Sequence, residues 1–182
     1  MKIKCRIIGF DLDGTLLNSE KHIAEHTREV LTRAVEQGIW ILPVTGRPLG
    51  GLPKEVVEFP EVQYAITANG ARIMETQTGG CLYERLVPVK TAEQIMEIFS
   101  DYDALREVYY GGKGYAEAEE FSRVGEYMRS PQMAAYVRAT RTPVPDILQL
   151  IREKGQDTDK VQGVFKIDEE RTEARKRLEA VE

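Results

Sequence analysis

Ile7-Ile8-Gly9-Phe10-Asp11-Leu12-Asp13-Gly14-Thr15-Leu16-Leu17 decides how the rest of the chain is read. An uncharged apolar run leads into two carboxylates two residues apart. The run predicts a strand buried on both faces, with the acids at its carboxyl tip. In open α/β sheets ligands bind outside the carboxyl ends of the strands, so such acids face the crevice where a small molecule would lie. Gly14 permits a tight turn after the second acid, and Thr15 adds a hydroxyl and an amide to the same crevice. Carboxylates this close repel, so either a cation sits between them or one of them holds a proton. Hard oxygen donors suit Mg²⁺. A metal-held carboxylate can attack a phosphate as a nucleophile while its neighbour gives a proton to the leaving alcohol.

Working outward, Ile23, Thr27, Val30, Leu31, Ala34 and Val35 recur at helical spacing, and Gly38 closes that helix. Ala24 offers its start no side-chain cap. Ile39-Trp40-Ile41-Leu42-Pro43-Val44 is a second apolar run, ending in Thr45-Gly46-Arg47-Pro48. Strand, helix and strand predict a right-handed parallel unit that brings Thr45 to the same edge as Asp11. Pro43 removes a ladder donor and predicts a bulge or an unpaired edge. A short helix over 50–59 precedes a third strand, 64–68, which stops at Asn69-Gly70-Ala71. Asn-Gly is also a strong hairpin signal, and strands over 71–75 and 81–86 are expected to follow.

Asp11-Leu12-Asp13-Gly14-Thr15-Leu16 resembles the first motif of the haloacid dehalogenase superfamily of phosphatases. Thr45-Gly46-Arg47 and Asn69-Gly70-Ala71 resemble the corresponding segments of its Cof-type branch. The resemblance implies an α/β fold: a partial Rossmann-like core with a parallel sheet over residues 1–86, and an inserted α/β cap domain over residues 87–182. It implies Asp11 as nucleophile, Asp13 as general acid/base, and Mg²⁺ held by the Asp11 carboxylate and the Asp13 backbone carbonyl. Thr45 and Gly46 would bind the phosphoryl group, Arg47 would lie at the substrate mouth, and Asn69 would face the active site. The substrate implied is a small phosphorylated metabolite, a sugar phosphate or a phosphorylated cofactor.

The superfamily's third-motif lysine and fourth-motif acids are not evident. Asp101 and Asp103 follow a helix, Asp157 and Asp159 lie in a polar loop, and Lys160 and Lys166 fall in the cap region. The expectation is a chain truncated within the cap. Its first strand would present an open apolar edge that self-associates, and its turnover would be very low. The rival reading is a phosphate-binding or assembly module without turnover.

Composition narrows the classes. With 182 residues, 42% hydrophobic and 30% charged, the chain can bury a globular core. A net charge of −5 without a basic cluster argues against nucleic acid and anionic membranes. No apolar stretch reaches membrane-spanning length and residues 1–6 do not read as a signal peptide, so a cytoplasmic location is expected. Cys5 and Cys81 read as free thiols, and His22 and His26 as solvent-exposed. Beyond residue 87, a capping box at 91–94 opens a helix carrying Ile95, Ile98 and Phe99. Strands over 105–110 and 115–118 flank a glycine turn. A helix over 119–128, an undecided segment at 133–139, a helix over 146–154, a strand over 160–167 and a charged helix over 169–180 complete the reading.

Overall fold

The computed structural model describes residues 4–20 and 22–181; what the sequence suggests for residues 1–3, Lys21 and Glu182 lies outside them. The chain divides into two units, Met1–Arg85 and Leu86–Glu182. Among the described residues no helix is long and apolar enough to cross a membrane.

In the first unit β1 (Ile7–Phe10) runs through α1 (Glu25–Glu36) into β2 (Trp40–Pro43). The two strands pair in parallel, from Ile7 opposite Trp40 to Phe10 opposite Pro43. α1 starts at Ala24 without a side-chain cap. It ends where Gly38, at φ +77°, lets the amides of Gly38 and Ile39 bond back to Val35 and Ala34. A single 3₁₀ turn, Leu49–Gly51, and the one-turn α2 (Lys54–Val57) stand where one helix over 50–59 is expected, because Pro53 separates them. β3 (Tyr64–Thr67), β4 (Arg72–Glu75) and β5 (Cys81–Glu84) form an antiparallel meander. Among the described residues β3 meets the end of β2 through a single parallel bridge, between Val44 and Ile66.

Pro43 explains that thin seam. The amides of Trp40 and Val44 bond to Arg6, just before β1, and to Phe10 at its end, whereas that of Thr45 bonds to Ile66 of β3. Donors alternate along a strand, so the N–H that Pro43 lacks would have faced β3. No bulge forms, and the unpaired side expected there is the one toward β3.

Burial corrects the reading of β1. Ile7 is 61% exposed and Ile8 37%. The core of this unit, including Leu12, Leu16, Leu17, Leu31, Ile41, Val56 and Phe59, lies on one face of the sheet. The opposite face carries Ile7, Trp40 and Val44, all exposed, and among the described residues β1 has β2 as its single strand neighbour.

The second unit is a four-stranded sheet with helices on both faces. Its order is α3 (Val89–Ser100), β6 (Ala104–Tyr110), β7 (Lys113–Glu117), α4 (Ala118–Ser122), α5 (Val124–Tyr127), α6 (Pro131–Thr140), β8 (Arg141–Val144), α7 (Ile147–Lys154), β9 (Lys160–Phe165) and α8 (Asp168–Leu178). The strands lie in the order β8-β7-β6-β9, with β7 and β8 parallel and the others antiparallel. Ala92, Met96, Phe99, Ile147, Ile151 and Ala174 pack against Val108 and Tyr110 on one face. Val124, Tyr127, Ala134 and Val137 pack against Leu105 and Ala116 on the other. α3 begins at Val89, ahead of the expected capping box, because the Val89 amide donates to the Asp157 carboxylate at 3.0 Å. β8 is a strand that the sequence hides behind Pro143.

Candidate active site

Asp11 and Asp13 follow β1 directly, and the loop that holds them is anchored by its apolar members. Leu12, Leu16 and Leu17 are buried, and the amides of Leu16 and Leu17 bond to the carbonyls of Asp11 and Leu12. With the leucines turned into the core, the acids on either side of Leu12 are exposed. Gly14 makes the turn at φ +80°. Ile23 and the segment after the loop are held by Glu55 of α2. Its carboxylate accepts from His22, the Ile23 amide and Arg28, and these together outweigh its burial and keep it below the ordinary glutamate range.

The second wall comes from the ends of β2 and β3. Thr45 is buried, and its hydroxyl accepts from the Arg47 amide at 3.2 Å. The Ala68 amide donates to the Arg47 carbonyl at 3.0 Å and the Asn69 amide to the Thr45 carbonyl at 3.1 Å, so the two loops are fastened main chain to main chain. Ala68, Asn69 and Gly70 all have positive φ, 50°, 59° and 96°. An alanine in that region is strained, and the strain is held by these loop-to-loop bonds. The Asn-Gly turn is therefore a hairpin turn between β3 and β4 that also reaches the site.

The structure brings the loops bearing Asp11, Asp13, Thr45, Gly46, Arg47 and Asn69 to one edge of the sheet, beyond the carboxyl ends of β1, β2 and β3. Among the described residues the Asp11 carboxylate has no hydrogen-bond or ion-pair partner. Asp13 is engaged by Arg47, whose Nε and Nη2 donate to its two carboxylate oxygens at 2.8 Å each. Nη1 of the same guanidinium donates to the Gly51 carbonyl at 2.9 Å. Neither the Asp13–Arg47 fork nor the Gly51 anchor is visible in the sequence beyond two opposite charges at neighbouring strand ends.

For a metal, the donor chemistry is that of a hard cation: Asp11 offers two unshared oxygens, while the side-chain oxygens of Asp13 are taken by Arg47. The described residues contain no group of three or more His, Cys, Asp or Glu side chains able to hold an ion. The acids elsewhere have structural work. Asp101 pairs with Arg177, Asp103 with Lys166, Asp157 accepts from the Val89 amide, and Asp159 accepts from the Gly112 amide.

A family model for haloacid dehalogenase-like hydrolases matches residues 8–181. YxeH of Bacillus subtilis (strain 168) is 33% identical over 107 residues, which is 57% of this chain and 35% of that protein. An HMP-PP phosphatase of Klebsiella pneumoniae (strain 342) is 31% identical over 107 residues, 59% of this chain and 39% of that protein. The solved structure of a haloacid dehalogenase-like hydrolase from B. subtilis superposes with a TM-score of 0.78 at 24% identity, covering 97% of this chain and 67% of that one. That likeness shows a shared fold. The matches span under half the length of these two curated relatives.

Proposed function

Since the chain belongs to the haloacid dehalogenase-like hydrolases, in their Cof-type branch, we propose that it is a Mg²⁺-dependent phosphatase of small phosphorylated metabolites, sugar phosphates or phosphorylated cofactors. The observation that carries the reading is the partnerless carboxylate of Asp11 at the strand end where the 45–47 loop and the 68–70 turn are fastened together. In this reading an Asp11 oxygen attacks phosphorus, the ester P–O bond breaks, and the departing alkoxide takes a proton from Asp13. Asp13 then removes a proton from water, whose oxygen attacks phosphorus. The bond between phosphorus and Asp11 breaks, and inorganic phosphate leaves.

The Thr45 hydroxyl, the Gly46 amide and Asn69 bind the phosphoryl oxygens, and Arg47 adds a positive charge beside them. The residues suited to Mg²⁺ are Asp11, through its carboxylate, and Asp13, through its main-chain carbonyl, with water completing the shell. When bound, the ion would neutralise charge between the nucleophile and the phosphoryl group. Residues 1–86 serve as the core and 87–182 as the cap that selects the substrate. The open edge of β1 pairs with another chain, and the protein works in the cytoplasm.

The test is hydrolysis of p-nitrophenyl phosphate with and without Mg²⁺ by the wild-type chain and by Asp11→Asn. Metal-dependent turnover that disappears in the variant supports the reading, and turnover that survives Asp11→Asn overturns it. The absence of a third metal-ligating side chain among the described residues favours a second reading, phosphate binding without turnover. Calorimetric binding of inorganic phosphate by a chain that forms no product would decide for it.

A further inference from the structure

We propose that Arg47 is a positioning residue that fixes the Asp13 carboxylate for proton transfer, and that it does not itself bind the phosphoryl group of the substrate; this rests on the phosphatase reading above. All three guanidinium nitrogens are engaged. Nε and Nη2 take the two oxygens of Asp13 at 2.8 Å, and Nη1 takes the Gly51 carbonyl at 2.9 Å. The main chain of Arg47 is pinned as well, its amide to the Thr45 hydroxyl at 3.2 Å and its carbonyl to the Ala68 amide at 3.0 Å. Its side chain is only 18% exposed, against 41% for that of Asp13.

A planar fork anchored at its third nitrogen sets the plane of the carboxylate it grips, which a lysine's single ammonium cannot do. A fork that engages both oxygens fixes which way the carboxylate faces. Proton transfer demands that orientation, because a donor outside hydrogen-bond reach of the leaving oxygen contributes little. To turn its Nε–Nη2 fork on a phosphoryl group instead, Arg47 would have to release Asp13 while its main chain stayed bound.

The two roles separate by leaving group. An alkyl phosphate needs a proton delivered to its departing oxygen, whereas p-nitrophenolate departs without one. In Arg47→Met, kcat on an alkyl phosphate such as glycerol phosphate is expected to fall about tenfold or more beyond any fall on p-nitrophenyl phosphate. KM for either ester should change little, and Arg47→Lys should not restore the ratio. Equal losses on both esters with raised KM, or full rescue by lysine, overturn the proposal. Asp11→Asn serves as the control for the parent reading: turnover that it leaves intact refutes the phosphatase mechanism whatever Arg47 does. Independently of activity, urea unfolding of Asp13→Asn, Arg47→Met and the double variant without metal should show the two sites coupled by about twofold to fivefold in the unfolding constant. Strict additivity means that the pair does not form in solution, and the proposal fails.

Discussion

A Cβ on residue 46 would stand 2.6 Å from Oδ1 of Asn69, closer than any real contact allows. Gly46 is therefore small because Asn69 occupies its flank, and the two positions act together. Gly46→Ala is expected to turn the Asn69 side chain away. Affinity for inorganic phosphate, measured by calorimetry, should fall severalfold, while the unfolding free energy drops by about 1–2 kcal/mol. The placement of Asp11, Asp13, Thr45, Gly46 and Asn69 at one sheet edge was legible because each follows a short apolar run. Local pattern alone puts such residues at a strand tip. What Arg47 grips was not legible, since its partner lies 34 residues earlier and the contact depends on the parallel register of β1 against β2. The burial of Ile7 and Ile8 was misread for a related reason: an apolar run reports what a strand could bury, and only its neighbours decide what it does bury.

Helix starts show the same division between local and distant causes. The starts of α6 and α7 are written locally, in Ser130 before Pro131 and in Asp146, whose side chains accept from the Met133 and Gln149 amides. The start of α3 is not, because its first amide is satisfied by Asp157, 68 residues further on. Asp157→Ala should lower the unfolding free energy by about 1 kcal/mol in urea titration. β8 escaped detection because Arg141-Thr142-Pro143-Val144 has too little apolar alternation, and Pro143 marks the edge position it occupies.

Between elements, Lys166 at the end of β9 pairs with Asp103 at 2.7 Å, and Tyr127 and Arg123 converge on the same carboxylate. The Lys166 ammonium first, then the Tyr127 hydroxyl, hold Asp103 down at about 2 from its ordinary 3.8. A carboxyl depressed on folding stabilises the native state above its unfolded pKa and loses that contribution as pH falls through the folded one. The expected contribution is about 1 kcal/mol once solvent screening of a side chain 44% exposed is allowed for. It should vanish between pH 4 and 2, and Asp103→Asn should flatten the urea-stability profile across that window.

At the scale of the whole molecule, each unit has its own apolar core, but among the described residues the buried core of the first lies on one face of its sheet. Ile7, Trp40 and Val44 stand exposed on the other face, and the outer edge of β1 has no strand beside it among the described residues. Sedimentation velocity across a range of concentrations is expected to show self-association that Ile7→Lys weakens, because a charge on an edge strand opposes pairing with another chain. A monomer at every concentration would refute it. The seam between β2 and β3 has a different consequence. Pro43 leaves it one bridge, and the bonds that close it beyond that point belong to the 45–47 and 68–70 segments. The stitches of the architecture thus belong to the candidate site's own loops. Slow deuterium uptake at the Thr45, Ala68 and Asn69 amides should be lost together when either segment is altered, so selection acting on chemistry there acts on fold integrity as well.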